Sequence, residues 1–323
     1  MNTEVLIEIN DLRTQFFTDA GVVKAVDGVA LKIPKGEALG LLGESGCGKS
    51  MTALSILRLI PDPPGKIVSG QIHFKGRDLL QLSEKEMRHV RGGEIAMIFQ
   101  EPMTSMNPSF TIGNQMTEAI KFHKTEKGGD EAKETAYKYL QSVHIPDPVR
   151  IFSQYPHELS GGMLQRVMIA MALSCEPDLL ICDEPTTALD VSTQAQIMKL
   201  LGELREEKQT TLLFITHDLG VLSWVCTFAA VMYAGNIVEY SDIRTIVMNP
   251  THPYTTALMG AVPRLDQHVD SLNVIRGQVP NLANTPPGCK FHPRCDLAGE
   301  ICKNEPPPLE EREKGHWIAC HMT

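Results

Sequence analysis

A glycine-rich octapeptide that ends in Lys49 and Ser50 has the composition and spacing of a phosphate-binding loop. The segment reads GESGCGKS and fits the pattern G-x-x-x-x-G-K-[ST]. Glycines allow backbone N–H groups to converge on phosphate oxygens, Lys49 can neutralise the β- and γ-phosphates, and the Ser50 hydroxyl can ligate Mg²⁺. We expect Cys47 to be a small loop residue and not a catalytic thiol. The predicted phosphate-binding residues of this P-loop are Gly43, Ser45, Gly46, Cys47, Gly48, Lys49 and Ser50.

Two adjacent carboxylates, Asp183 and Glu184, follow the apolar run 179–182. In enzymes with a P-loop, the first carboxylate typically helps to hold Mg²⁺, often through water. The alternative is a pair of acids at a helix N-terminus, where the helix dipole favours negative charge. That alternative explains one acid near Pro185 but not an apolar run that ends in two. We therefore predict a catalytic pair, with Asp183 as a Mg²⁺ ligand.

Short apolar runs of the kind found in buried strands precede each of these polar groups. The run 38–42 leads into the P-loop, and residues 51–60 are predicted to form the following helix, ended by Pro61. Two further runs, 95–99 and 212–215, end just before Gln100 and His217. From about 102 to 160 the pattern changes to helices joined by polar loops. The sequence thus predicts an α/β core interrupted by a helical insertion.

The pentapeptide Leu159-Ser160-Gly161-Gly162-Met163 lies between the P-loop and the acidic pair, and it has no evident role in the chain's own phosphate loop. In this order the motifs resemble those of the ABC (ATP-binding cassette) ATPases, over about residues 5–250. The resemblance implies a P-loop ABC ATPase domain with a mixed-sheet core and a helical subdomain at about 102–160. It also implies that ATP and Mg²⁺ are bound and that two cassettes work together.

The same resemblance implies a role for each motif residue. Lys49, Glu184 and His217 would be catalytic, with Glu184 polarising the attacking water and His217 contacting the γ-phosphate. Gln100 would contact ATP and sense Mg²⁺, so that the implied Mg²⁺ ligands are Ser50, Gln100 and Asp183. The residues expected to reach the ATP held by the partner cassette are Ser160, Gly161 and Gly162.

An aromatic residue near the first strand is the predicted adenine contact. The resemblance places Phe16, or else Phe17, where the family stacks an aromatic ring on the base. Aromatic residues beside a strand more often belong to a core, and that is the alternative for Phe16.

Composition narrows the function classes. The chain has 323 residues, 42% of them hydrophobic, and a formal net charge of −9. Phosphate contacts along nucleic acid need clustered Lys and Arg, so the charge argues against nucleic acid as the main partner. No apolar stretch approaches the ~20 residues that cross a bilayer, and the N-terminus lacks the pattern of a signal peptide. We expect a peripheral protein at the cytoplasmic face of the membrane, attached through partners.

The C-terminal part, residues 251–323, is predicted to be a small Cys-rich extension to the ATPase domain at 1–250. Two segments resemble the C-terminal extension of oligopeptide/dipeptide importer ATPases, a group that includes nickel importers. They are Asn249-Pro250-Thr251-His252-Pro253-Tyr254-Thr255 and Pro286-Pro287-Gly288-Cys289-Lys290-Phe291-His292-Pro293-Arg294-Cys295. This resemblance implies a second, paralogous ATPase subunit, two transmembrane permeases and an extracytoplasmic substrate-binding protein. It assigns no chemistry to the His-Pro-Tyr segment.

Four cysteines in this tail could hold a metal group. In a reducing compartment, four thiolates can ligate Zn²⁺ or an iron–sulfur cluster, and the spacing lacks the close C-x-x-C pairs of common zinc ribbons. The resemblance to the importer ATPases implies a [4Fe–4S] cluster, with Zn²⁺ as the alternative and unliganded cysteines as a third reading. His292, His316 and His321 are weaker candidate ligands. The predicted thiolate ligands are Cys289, Cys295, Cys302 and Cys320.

The leading prediction is therefore an ATP-hydrolysing subunit that energises import of di- or oligopeptides, or a related small solute, through separate permeases. A soluble ABC ATPase that acts on nucleic acid or ribosomes is the alternative, although the chain shows neither coiled-coil arms nor a second cassette. A scaffold with vestigial motifs is a third possibility, and the complete set of Lys49, Asp183, Glu184 and His217 argues against it.

Overall fold

The computed structural model describes residues 4–124, 128–186, 189–261 and 275–323. The chain divides into two compact units, one formed by Met1–Leu80 with Ile215–Thr323 and the other by Gln81–Phe214.

The β-strands alternate with helices through most of the chain. They are Val5–Thr18 (β1), Gly21–Pro34 (β2), Ala38–Leu42 (β3), Gly65–Phe74 (β4), Arg77–Asp78 (β5), Ile95–Ile98 (β6), Leu179–Asp183 (β7), Thr211–Ile215 (β8), Phe228–Tyr233 (β9), Asn236–Asp242 (β10), Glu310–Glu313 (β11) and His316–Ile318 (β12).

The helices concentrate between β6 and β7. They are Lys49–Ile56 (α1), Glu84–Gly93 (α2), Pro102–Ser105 (α3), Ile112–His123 (α4), Gly129–Ser142 (α5), Pro148–Ser153 (α6), Gly161–Leu173 (α7), Val191–Lys208 (α8), Leu219–Val225 (α9), Ile243–Met248 (α10), Pro253–Gly260 (α11) and Glu300–Asn304 (α12). Short 3₁₀ turns occur at Leu79–Gln81, Pro156–Glu158 and His292–Arg294.

The first unit contains two groups of paired strands. In one, the order is β2-β1-β4-β5 and the neighbours are antiparallel. In the other, β3 pairs in parallel with β9, β9 pairs antiparallel with β10, and β12 and β11 follow. All five residues of β3 are buried, as its continuous apolar sequence predicts. The C-terminal strands β12 and β11 therefore extend the pairing of the strands before them.

The helix after the P-loop is shorter than predicted. It ends at Ile56, not at residue 60, because Arg58 adopts a left-handed conformation with φ 52°. The Leu59 N–H donates to Leu54 O over 2.8 Å and the Arg58 N–H donates to Ser55 O over 3.0 Å, which is a Schellman ending. Glycine is the usual residue at this position. Because Arg58 does not indicate a helix end, the sequence analysis placed the end of the helix at Pro61.

The second unit combines the parallel pair β6 and β7 with most of the helices. Its strand order is β8-β7-β6. The predicted amphipathic helix is α5, whose residues Ala132, Ala136, Tyr139 and Leu140 are buried. The apolar stripe near residue 200 is α8, which buries Ile197, Leu200, Leu201 and Leu204. These faces confirm that helical periodicity identified the packed sides of both helices.

Candidate nucleotide-binding site

The P-loop follows β3 and needs glycine at both ends. Gly43 has φ 149°, and a Cβ there would stand 2.2 Å from Met232 O. Gly48 has φ 110°, and its Cβ would stand 2.2 Å from Ala25 O. Any larger residue would therefore collide with backbone at either position, which accounts for the two fixed glycines of the motif.

Lys49 is bent back on the P-loop. Only 5% of the residue is exposed, and Nζ donates to Gly43 O at 2.8 Å and to Glu44 O at 3.1 Å. Phosphate oxygens carry negative charge and carbonyl oxygens do not, so an ammonium group is attracted more strongly to phosphate than to a carbonyl. We therefore expect the Lys49 ammonium group to exchange the loop carbonyls for the phosphate oxygens of a bound triphosphate.

Cys47 lies inside the P-loop. It is fully buried, and its Sγ stands 3.8 Å from Nζ of Lys49. Burial raises the pKa of this thiol, which outweighs the opposing effect of the Lys49 charge. The residue therefore contributes backbone and volume to the loop, while Ser45 and Gly46 are exposed at its tip.

The P-loop is also held by two residues that sequence analysis did not select. The backbone N–H of Glu44 donates to Oη of Tyr254 at 2.9 Å. The Glu44 carboxylate binds Arg294 through two contacts, Nη1–Oε2 at 2.8 Å and Nη2–Oε1 at 3.1 Å. Tyr254 belongs to the His-Pro-Tyr segment, whose role the sequence left open.

His252 shapes that segment. Its Nδ1 accepts a hydrogen bond from the Tyr254 N–H at 3.0 Å and so caps α11, with Pro253 in the first turn. Burial lowers the pKa of His252 to about 4, against a smaller opposing effect of its hydrogen bond to the Ala319 backbone. His252 is therefore neutral at pH 7 and fixes the helix start that presents Tyr254.

Two predicted residues of the first unit remain assigned by sequence alone. His217 is exposed just beyond β8, next to Thr216, whose Oγ1 accepts from the Asp218 N–H at 3.0 Å. Phe16 is half-buried on β1 opposite Gly65, where a Cβ would stand 2.7 Å from the Phe16 ring. Phe17 is 52% exposed. The adenine contact is therefore a prediction for either ring.

In the second unit, the parallel pairing of β6 and β7 brings Gln100 to Glu184. Ile98 pairs with Cys182, and Gln100 and Glu184 each follow their paired residue by two positions. Gln100 Nε2 donates to Glu184 Oε2 at 3.0 Å. Asp183, at the end of β7, is only 6% exposed. The amide and the two carboxylates predicted from sequence thus lie where these two strands end.

Glu184 also has an unusual backbone. Its φ of 46° lies in the left-handed region, which costs a residue with a Cβ roughly 1–3 kcal/mol. Such conformations persist where the surrounding structure enforces them, and they are frequent at catalytic positions. The turn directs Glu184 out of the strand while Asp183 stays buried.

The signature pentapeptide forms the start of α7. Ser160 is the N-cap, and its Oγ accepts from the Met163 N–H at 3.4 Å. A Cβ on Gly162 would stand 2.9 Å from Thr193 Cγ2. A Cβ on Gly161 would meet, within the described parts of the chain, only Leu189 Cδ2, at 4.0 Å. Gly162 is needed for packing against α8. Internal packing does not require Gly161, which is exposed at a helix start suited to an anion.

Comparisons with known proteins agree with this arrangement. The ABC transporter family model matches residues 26–187, and the model of the oligopeptide/dipeptide transporter C-terminal region matches residues 238–302. A probable peptide ABC transporter ATP-binding protein of Sinorhizobium fredii is 50% identical, with 98% of this chain and 95% of that protein covered. The oligopeptide transport ATP-binding protein AppD of Bacillus subtilis is 47% identical, with 98% and 96% covered. The chain belongs to the family of peptide ABC transporter ATP-binding proteins.

A solved structure shows the same fold. The ATP-binding cassette MJ0796, a dimer in a post-hydrolysis state with ADP and Pi, aligns with a TM-score of 0.66 at 27% identity. The alignment covers 74% of this chain and 99% of that cassette. The predicted ABC ATPase fold, with its mixed sheet and helices, is confirmed, and membership of the family makes the chain an ATP-hydrolysing subunit. In the described parts of the chain, no helix is long and apolar enough to span a bilayer.

The metal site predicted at the four cysteines of the tail is not supported by the described side chains. The Cys289 N–H donates to Cys302 O at 2.8 Å, and burial, followed by the other three thiols, raises the pKa of Cys289. Among the described residues, no three His, Cys, Asp or Glu side chains are arranged to hold a metal ion. Neither the [4Fe–4S] cluster nor the Zn²⁺ alternative is therefore supported by the side-chain arrangement.

The three histidines considered as further ligands have other partners. His316 Nε2 lies 2.7 Å from Oε1 of the buried Glu239. His292 Nδ1 contacts Cys289 O at 2.9 Å, and His321 Nε2 contacts Glu305 O at 3.0 Å. Each ring has a structural contact within the tail or to β10, which accounts for its presence without a metal.

Proposed function

We propose that this chain hydrolyses ATP to energise the import of di- or oligopeptides through separate membrane permeases. The observation that carries the catalytic part is the Gln100–Glu184 pair, with Glu184 in a left-handed conformation beside the buried Asp183. A vestigial cassette has no need to keep a strained carboxylate in this position. The cargo follows from the relatives, which are named as peptide and oligopeptide transport proteins.

Phosphate binding begins at the P-loop. We propose that Lys49 leaves the carbonyls of Gly43 and Glu44 for the β- and γ-phosphates of ATP. Backbone N–H groups of the loop and the start of α1 supply the remaining positive potential. Phe16 is the proposed contact to adenine.

Hydrolysis needs a group that accepts a proton from the attacking water. We assign that role to Glu184, whose carboxylate is oriented by the N–H donated from Gln100. His217 is proposed to contact the γ-phosphate and to help orient the water. The remaining polar atom of the Gln100 amide is an oxygen, which is available to other ligands.

The oxygen donors suit Mg²⁺, a hard cation that prefers carboxylate, hydroxyl and amide oxygens. The proposed ligands are Ser50, Gln100 and Asp183. When bound, the ion neutralises charge that develops on the β- and γ-phosphates. Asp183 is buried at the end of β7, next to Glu184.

Ser160, Gly161 and Gly162 are proposed to bind the ATP of a second cassette. The argument rests on the exposed Gly161, where a Cβ would meet, among the described residues, Leu189 Cδ2 at 4.0 Å and no other heavy atom. We propose that the second cassette is a paralogue, so that the working ATPase is a heterodimer attached to two permeases at the cytoplasmic face. An extracytoplasmic binding protein would deliver the peptide.

Purification of the complex from native membranes tests this proposal. We expect a second cassette, two permeases and a peptide-binding protein to co-purify with the chain, and peptide together with its binding protein to stimulate ATP turnover. Recovery with ribosomes or nucleic acid instead would support the alternative function, which the net charge of −9 disfavours.

For the four tail cysteines, [4Fe–4S] ligation is a separate proposal, with Zn²⁺ as the alternative. What supports it is the set of four cysteines within residues 289–320 and not their side-chain arrangement. Iron, sulfide and zinc should be measured after anaerobic purification of the wild type and of Cys302→Ser. Absence of all three from the wild type would end the proposal.

A further inference from the structure

We propose that Tyr254 and Arg294 are positioning residues for the P-loop, so that the C-terminal extension sets the affinity of this chain for ATP. This inference rests on the proposed function, because it concerns the same ATP site. Both residues lie outside the P-loop, the acidic pair and the signature, and the sequence analysis assigned no chemistry to either. Their shared target is Glu44, the second residue of the P-loop.

Glu44 is held at all three of its polar groups. Its N–H donates to Oη of Tyr254, its carbonyl accepts from Nζ of Lys49, and its carboxylate pairs with Arg294. Two of these three contacts come from the extension. The peptide that links β3 to the phosphate-binding N–H groups is therefore fixed from outside the loop.

Arg294 is built into its position. Its side chain is only 5% exposed, its Nε donates to Arg276 O at 2.8 Å, and its guanidinium lies 5.7 Å from the Tyr233 ring and 5.9 Å from the Phe291 ring. A planar fork held by aromatic rings and a carbonyl loses little freedom when it binds a carboxylate. The ion pair is thus a fixed part of the fold and not a mobile surface contact.

Tyr254 is equally constrained. The residue is fully buried, and its ring packs 4.6 Å from that of Tyr233 and 5.4 Å from that of Phe291. His252 fixes the start of its helix through the Tyr254 N–H. The Tyr254 hydroxyl consequently stands at a defined point for the Glu44 N–H.

The charge of Glu44 explains why the pairing matters for ATP. A carboxylate in a phosphate loop repels a triphosphate, and the repulsion acts over the few ångströms that separate loop residues from bound phosphates. Arg294 neutralises that carboxylate with two hydrogen bonds. Without Arg294, Glu44 would carry an uncompensated negative charge and could compete with ATP for Lys49.

The test is equilibrium binding of Mg-ATP to the full-length chain, with ATP turnover measured in the assembled complex. Arg294→Gln is expected to raise the Kd for ATP roughly tenfold, because it leaves a charged group unpaired. Tyr254→Phe keeps the ring packing and removes only the acceptor, so a roughly threefold to tenfold rise is expected. In both variants kcat at saturating ATP should stay close to that of the wild type, since Glu184 is untouched.

A double variant distinguishes a role of Arg294 in positioning the P-loop from a role in folding stability alone. Glu44→Gln removes the repulsive charge, so adding it to Arg294→Gln should recover most of the lost affinity and abolish the dependence of the defect on salt. A purely structural role for Arg294 predicts no recovery, because the double variant has still lost the ion pair. Arg312→Gln is the matched control, an extension arginine that contacts Cys320 O and Glu310 and leaves the P-loop alone.

The outcomes distinguish this inference from the proposed function. If the wild type fails to bind Mg-ATP, the proposed function is wrong. If the wild type binds ATP and both Arg294→Gln and Tyr254→Phe bind it equally well, the proposed function stands and the positioning role is wrong. If Arg294→Gln does not fold, the Kd for Mg-ATP of Tyr254→Phe, and of the double variant where it folds, tests the positioning role instead.

Discussion

Gln100 donates an N–H to Glu184 across 3.0 Å, and the two residues occupy equivalent positions beyond the paired strands β6 and β7. The parallel register makes this pairing a direct consequence of strand geometry, because each residue lies two positions after the pair Ile98 and Cys182. A glutamine that orients a carboxylate can also relay a change at one strand end to the other.

Glu184→Gln should abolish ATP turnover while leaving ATP binding intact. The substitution keeps the size of the side chain and removes its ability to accept a proton, a contribution worth roughly a hundredfold or more in rate. We expect phosphate release by the assembled complex to fall by that factor and the ATP-bound dimer to accumulate. Glu203→Gln, at a half-exposed position on α8, is the control. Wild-type turnover in Glu184→Gln would refute the assigned role.

Lys49→Ala should weaken ATP binding itself. The ammonium group now held by Gly43 O and Glu44 O is the charge proposed to meet the phosphates. Loss of a charge-assisted contact costs about 1.5–3 kcal/mol, which corresponds to roughly a tenfold to hundredfold rise in Kd. Titration with Mg-ATP, with Lys303→Ala in the extension as the matched lysine control, measures the effect. An unchanged Kd would contradict the proposed transfer of Lys49.

The two signature glycines should respond differently to alanine. In Gly161→Ala the nearest contact of the new Cβ among the described residues is Leu189 Cδ2, at 4.0 Å. Folding should therefore be unaffected, while turnover in the assembled complex falls. In Gly162→Ala the Cβ would stand 2.9 Å from Thr193 Cγ2, and overpacking of this kind costs about 1–3 kcal/mol. Thermal unfolding and ATPase assays on both variants give the comparison. Equal loss of stability in the two would contradict the external role of Gly161.

The strand ends and the signature were predictable because their signals are local. Continuous apolar runs located β3, β6, β7 and β8. Gln100 and the acidic pair were selected as the polar residues that follow two of these runs and match the ABC pattern. Ser160 is a preferred N-cap residue type, a local signal for the start of α7 that the sequence analysis did not use. Each of these inferences needs only a few neighbouring residues.

The contacts of Tyr254 and Arg294 with Glu44 could not be predicted, because both residues are far from Glu44 along the chain and no sequence motif marks them. Tyr254 and Arg294 lie 210 and 250 residues away along the chain, and neither stands in a periodic pattern that indicates a contact. Strand β11 was missed for a related reason, since all four of its residues are exposed and show no alternation. The end of α1 was missed because Arg58 occupies a turn that usually holds glycine.

The stability of this chain should fall in mild acid through His252. Its pKa is lowered by burial to about 4 from an ordinary value of 6.5, so between these two pH values the unfolded chain binds one more proton than the folded chain. His252 makes its full contribution to the free energy of unfolding above pH 6.5. That contribution is lost as pH falls towards 4, by about 1.4 kcal/mol per pH unit and about 3 kcal/mol in all.

His252→Asn keeps a helix cap without the titration, so its free energy of unfolding should depend less steeply on pH. Urea unfolding between pH 7 and pH 4.5 compares the two, with His144→Asn as the exposed control, since asparagine tolerates the left-handed φ of 58° found there. Parallel pH profiles for the wild type and His252→Asn would show that His252 is not the group that titrates.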